Sequence, residues 1–297
     1  NRDATDAAIK GAHHVTTLEL VNNRLVPNAM EPRCSMAQYN RANDEYILHT
    51  TSQNPHLTRL LISAFVLGIP ENKLTVIAPD VGGGFGSKIY HYGEEALVLA
   101  AAKKLNRPVK WTADRSEAFL TDAHGRDHVT KIELAMDAEG NFLAFRTETL
   151  ANVGAYLSNF STATPTFLHG TLMAGNYTVP NVYVNVKTVF TNTAPVDAYR
   201  GAGRPEATYS LERVIDMAAR EIKMDPVELR RKNFIKPDQY PFASAAGLEY
   251  DSGNYDALMD KMEVVADKKG FEARRAESES KGLLRGFGVN AYIEACG

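Results

Sequence analysis

The sequence predicts a mixed α+β fold built from two interlocked α/β subdomains. Two features carry this: a β-α-β-α-β alternation over residues 45–115, then a switch to period-two patterning from 128 and back to period 3.6 after Pro205. The first 25 residues are polar and weakly patterned until an apolar alternation at Val15–Val26, and they read as an N-terminal extension. Residues 26–127 then form an α/β subdomain, and residues 128–297 a hairpin-and-helix subdomain.

Within 26–127, Tyr46–Thr51 reads as a strand. His56–Leu67 carries Leu57, Leu60, Leu61, Ala64 and Phe65 at helical spacing and stops at Gly68 and Pro70. Leu74–Ala78 is a short buried strand leading into Gly82-Gly83-Gly84-Phe85-Gly86. Glu94–Leu105 forms a second helix, whose opening carboxylates, Glu94 and Glu95, suit the helix dipole. Pro108–Trp111 reads as a further strand. Beyond 127, His128–Met136 and Phe142–Val153 alternate around Asp137-Ala138-Glu139-Gly140-Asn141 as a hairpin, and Tyr183–Thr191 alternates again. Leu211, Val214, Ile215, Ala218 and Ile222 make one helical stripe behind Pro205. Asp225-Pro226 opens a helix through Asn233, residues 254–281 are helical, and Leu283–Ile293 reads as a closing strand.

The chain has 297 residues, of which 44% are hydrophobic and 23% charged, a globular balance rather than a disordered one. Its net charge of −3 offers no surplus for a phosphate backbone, which argues against nucleic-acid binding. Cys34 and Cys296 are the only cysteines, too few for a disulfide framework, a four-cysteine zinc site or an iron–sulfur cluster held by this chain alone. No apolar run reaches membrane-spanning length and no signal-peptide pattern opens the chain, so a cytoplasmic location is expected. The chain begins at Asn1 and stops just after the apolar stretch Phe287–Ala295, which suggests a piece of a longer polypeptide.

Two glycine-bearing loops run into helices. Gly82–Lys88 lies where free backbone N–H groups can face an anion. Ser87 before Lys88 and Ile89 after it exclude a Walker A loop, and Ser87 stands where a dinucleotide fingerprint needs its third glycine. A tight strand-to-helix turn explains the same residues. Tyr199-Arg200-Gly201-Ala202-Gly203-Arg204-Pro205-Glu206 repeats that physics with two arginines, and a helix N-terminal turn explains it too. Gln53, between a strand and a helix, offers both an amide donor and a carbonyl acceptor, or simply a turn. The eight histidines show no metal-ligand spacing, and His13-His14 read as solvated.

Three segments in this order, Thr51-Ser52-Gln53-Asn54-Pro55-His56, Ala78–Lys88 and Ala198–Arg204, resemble a known family. Met30-Glu31-Pro32, Met224-Asp225-Pro226 and Tyr250-Asp251-Ser252-Gly253 flank them. Together they are similar to the molybdenum-binding large subunit of the molybdenum hydroxylases, the xanthine dehydrogenase and aldehyde oxidase family. The nearest likeness is to aerobic carbon-monoxide dehydrogenase large chains.

The resemblance implies a molybdenum-cofactor-binding domain for molybdopterin, in its cytosine dinucleotide form. The pterin itself would hold the molybdenum, so no side chain here need ligate the metal. Gln53 would hydrogen-bond an oxo ligand of the metal, as the catalytic residue of this chain. Gly84, Phe85 and Gly86 would cradle the cofactor from one side, and Arg200, Gly201 and Ala202 from the other. Gly201 stands where carbon-monoxide-oxidising members carry a copper-binding cysteine, so hydroxylation of an aldehyde or N-heterocycle is expected instead. Ile89 stands where xanthine-type members carry a glutamate, which argues against purines.

The resemblance further implies a second molybdenum-binding half that supplies the general-base glutamate, with iron–sulfur and flavin subunits as partners. The chain alone would bind cofactor weakly or not at all and turn nothing over. A non-catalytic scaffold with the same fold is the alternative, and a nucleotide phosphate binder ranks behind it.

Overall fold

A computed structural model describes residues 1–294. Cys296 and the last residue of the apolar stretch, Ala295, lie outside the described residues. The larger of two four-stranded sheets contains β1 (His14–Asn22), β6 (His128–Met136), β7 (Phe142–Gly154) and β8 (Asn181–Phe190), in that order. The β1–β6 and β6–β7 pairs are antiparallel and β7–β8 is parallel. The smaller sheet runs β4 (Leu74–Ile77), β3 (Glu45–Thr50), β2 (Cys34–Asn40), β5 (Val109–Thr112). Only its β3–β4 pair is parallel. A short hairpin joins β9 (Phe242–Ala243) to β10 (Glu249–Tyr250).

Helix α5 (Arg204–Glu221) lays its stripe on the larger sheet. Leu211, Val214, Ile215 and Ala218 are buried against Ile132, Leu134 and Phe145 in one core. Pro205 sits in its first turn, where a missing N–H costs nothing. Helix α6 (Pro226–Asn233) is capped by Asp225, which accepts from Val227 and Glu228. Helix α3 (Gly93–Leu105) buries Val98, Leu99 and Ala102 with Ala37, Leu48 and Ile62 in a second core under the smaller sheet. Helix α2 (Pro55–Leu61) widens into a π-helical turn, Ile62–Leu67, and ends at left-handed Gly68. Helices α4 (Arg115–Thr121), α7 (Tyr255–Val265) and α8 (Phe271–Ser280) lie at the periphery, the last two within the stretch read as helical.

Several elements differ from the sequence reading, which also left α4, β9 and β10 unassigned. Residues 1–25, read as an extension, form helix α1 (Arg2–Gly11) and β1, the edge strand of the larger sheet. The inward residue of α1 is Thr5, fully buried, so no apolar stripe marked the helix. Strand β2 was not read because its inward positions are the small Ser35 and Ala37. The closing strand over Leu283–Ile293 is absent. Val289, Ala291 and Ile293 do face the larger core in alternation, but no strand edge among the described residues pairs with them. His14, read as solvated, meets the Glu221 carboxylate at 2.8 Å.

Candidate functional site

Gln53 lies at the turn between β3 and α2, just before Asn54, whose side chain caps the helix by accepting from Leu57 N. Its backbone N donates to Lys88 O at 2.8 Å. Its side-chain Oε1 accepts from Gly86 N at 2.9 Å and from Lys88 N at 3.3 Å. Two backbone donors therefore fix which end of the amide is oxygen. The Nε2 end has no partner among the described residues, and Gln53 is solvent-exposed. Toward any ligand the Gln53 side chain presents a hydrogen-bond donor.

The glycine-rich loop reaches Gln53 because its glycines leave room. A Cβ on Gly84 would overlap the Gln53 carbonyl oxygen, and one on Gly86, at φ +109°, would overlap Ala198 O. Phe85, itself at φ +54° and half exposed, accepts from Arg200 N at 2.8 Å through its carbonyl. Tyr90 Oη adds a further link by donating to Ala198 O at 2.9 Å. The three segments singled out in sequence, 53, 82–88 and 198–204, thus meet through direct hydrogen bonds.

Their roles are distributed unevenly. Gly86 N is occupied by Gln53, Arg200 N by Phe85, and Ala202 N by Tyr199 O. The backbone N–H groups of Phe85 and Gly201 have no acceptor among the described residues. With the Gln53 amide and the Gly84 N–H, which likewise has no acceptor among the described residues, they are open donors of the site.

Arg126 supports the third segment from behind. One guanidinium nitrogen donates to Tyr199 O and the other to Arg200 O, each at 2.8 Å, and its ion partner is buried Glu206 at 3.3 Å. Burial raises the Glu206 carboxyl above its ordinary range despite the Arg126 charge. Burial likewise raises Asp197, although Phe160 N and Ala198 N both donate to it. Sequence reasoning missed Arg126; nothing in Gly125-Arg126-Asp127 signals that its side chain spans to residues 199 and 200. Beyond it opens a cavity of about 780 Å³ lined by Arg200, Arg204, Tyr209, Tyr292 and Glu294. Arg204 meets Glu294 at 3.5 Å. A smaller cleft of about 320 Å³, between Glu19, Lys131 and Glu148 on the sheet face, uses none of these residues.

Such an arrangement can hold a polar, acceptor-rich ligand between open donors and arginines. Among the described residues no group of three His, Cys, Asp or Glu side chains could hold a metal, and no helix is long and apolar enough to cross a membrane.

Comparison with known proteins matches residues 1–234 to the molybdopterin cofactor-binding domain. The carbon monoxide dehydrogenase large chain of Hydrogenophaga pseudoflava is 35% identical over 306 residues, covering 100% of this chain and 38% of that protein. The nicotine 6-hydroxylase large subunit of Paenarthrobacter nicotinovorans is 32% identical, covering 98% of this chain and 36% of that subunit. Quinoline 2-oxidoreductase from Pseudomonas putida 86 superposes with a TM-score of 0.89 at 32% identity, over 93% of this chain and 35% of that one. By name these relatives are a dehydrogenase, a hydroxylase and an oxidoreductase, and the chain spans little more than a third of their length. The chain belongs to the family of molybdopterin cofactor-binding domains and shares its fold with the molybdenum-binding subunits of the molybdenum hydroxylases.

Proposed function

We propose that this chain is the first molybdopterin-binding part of the large subunit of a molybdenum hydroxylase acting on an aldehyde or N-heterocycle. The observation that carries it is the junction at Gln53: an unpaired amide donor held at the meeting point of three separate segments. The residues fit a cofactor that brings its own metal ligands, because the site offers open donors and close-approach glycines but no side-chain metal ligands among the described residues. When bound, the cofactor supplies two-electron redox chemistry through its molybdenum. Gln53 would donate its Nε2–H to the bound cofactor, and the Phe85 and Gly201 amides together with Arg200 would hold it from either side of the junction. Because Gln53 Oε1 is already held, that donor needs no reorganisation during turnover.

Gly201 provides no thiolate for a copper centre, and the nicotine- and quinoline-directed names of two relatives favour a heterocycle. The cytosine dinucleotide form of the pterin, a second molybdenum-binding half, iron–sulfur and flavin partners and a cytoplasmic location complete this reading. The share of each relative that is covered supports the second half.

In the complete assembly, Gln53→Ala is expected to lower kcat about 10²–10³-fold, the range for losing one preorganised donor. Gln53→Glu keeps both backbone contacts yet replaces the donor with an acceptor, and should lose activity as fully. A non-catalytic scaffold would tolerate both, and unchanged activity of the assembly in either variant contradicts the proposal.

A further inference from the structure

The glycine loop has a second anchor that touches no ligand-facing donor. Lys88, which closes the loop, has a side chain only 1% exposed, and its Nζ meets Glu31 Oε2 at 2.8 Å. The same oxygen accepts from Gly82 N at 2.8 Å, and Glu31 N donates to Gly82 O at 3.2 Å. One carboxylate thus ties both ends of the 82–88 segment. Among the described residues it is the only partner of the Lys88 ammonium. The Lys88 backbone then turns to Gln53: its N donates to Gln53 Oε1, and its O accepts from Gln53 N. A buried ammonium with a single counter-ion holds that geometry strictly, since release would leave a charge unpaired in low dielectric.

We propose that Glu31 and Lys88 are positioning residues that act through Gln53. Their ion pair fixes the span of the glycine bend, and through the Lys88 backbone it fixes the direction in which the Gln53 amide points. Glu31→Asp would break the device without removing charge, because the shorter side chain cannot reach both Gly82 and Lys88. Glu31→Gln would keep the Gly82 contact and strip the counter-charge from Lys88.

The catalytic half of the test rests on the functional reading above; the structural half does not. In the complete large subunit, amide hydrogen exchange at Gly86 and Lys88, the two donors to Gln53 Oε1, should quicken about tenfold in Glu31→Gln, in the same pattern as is expected for Gln53→Ala. In the molybdenum-loaded enzyme Glu31→Gln should lower kcat about tenfold while KM stays within about twofold. Added to Gln53→Ala it should cause no further loss, because both changes act on one group. If Glu31→Gln fails to assemble, Glu31→Asp and Lys88→Met carry the same comparison.

Unchanged exchange at Gly86 and Lys88, or kcat losses that simply add, would overturn the proposal. So would exchange that quickens evenly along the whole chain, the mark of a merely structural ion pair. A wild-type subunit that carries no molybdenum overturns the functional reading instead, and the exchange comparison stands apart from it.

Discussion

At position 86 a missing side chain decides whether two distant segments can touch. The left-handed backbone and the Ala198 carbonyl both exclude a Cβ there, so Gly86→Ala must move one segment away from the other. We expect a loss of at least about 2 kcal/mol, seen as a lower melting temperature of the intact subunit. Gly93→Ala, where an added methyl meets nothing, is the control and should melt as the parent does. The residue types at the site were legible in sequence: glycines for close approach, a glutamine with two chemistries, arginines beside a helix start. What one residue's neighbours do with it was not. The turn at Gln53 could not show that its carbonyl is held by Gly86 and Lys88, which leaves the amide as the only free end. Glu31 was visible only as part of a flanking motif, because its partners lie 51 and 57 positions away.

Between elements, buried charge joins α5 to α6. Arg230 is fully buried, with Nε on Glu212 at 2.8 Å and Nη2 on Asp216 at 2.9 Å. Tyr177 Oη also donates to Glu212, and Ala291 N meets the same carboxylate at 3.0 Å. Burial pushes the Glu212 carboxyl upward against the pull of Arg230. Arg230→Ala leaves that carboxylate unpaired and should cost about 3–5 kcal/mol in denaturant unfolding. Glu212→Gln with Arg230→Met removes both charges and should cost clearly less than the two single changes added together. A double variant as unstable as that sum would show that packing, not charge pairing, holds the helices. Elements with strong periodicity were legible: the α5 stripe, the β6–β7 hairpin and the Asp225-capped α6 follow the sequence pattern. The α1 helix and β2 were not, because small or polar residues fill their inward faces. The stretch 283–293 shows the converse case, in which alternation alone does not make a strand without an edge to pair with.

For the whole molecule, the two sheets place three loops from residues 53, 82–88 and 198–204 at one junction, with Arg126 bracing the last of them. Periodicity could assign each loop to a strand-to-helix turn but carried no information about their meeting, since contacts across more than a hundred residues arise only from the packed fold. The ordered motifs supplied what local pattern could not, through their likeness to the family of molybdopterin cofactor-binding domains. In the proposed function, this junction holds molybdopterin with no protein ligand to the metal. The most direct measurement of that is the position of molybdenum, located by anomalous diffraction at its absorption edge in crystals of the complete subunit. The expected result is a single molybdenum beside Gln53, with one of its ligands about 3 Å from Nε2 and no side chain of this chain bound to it. Molybdenum away from that junction, or coordinated directly by a side chain of residues 1–297, would contradict it.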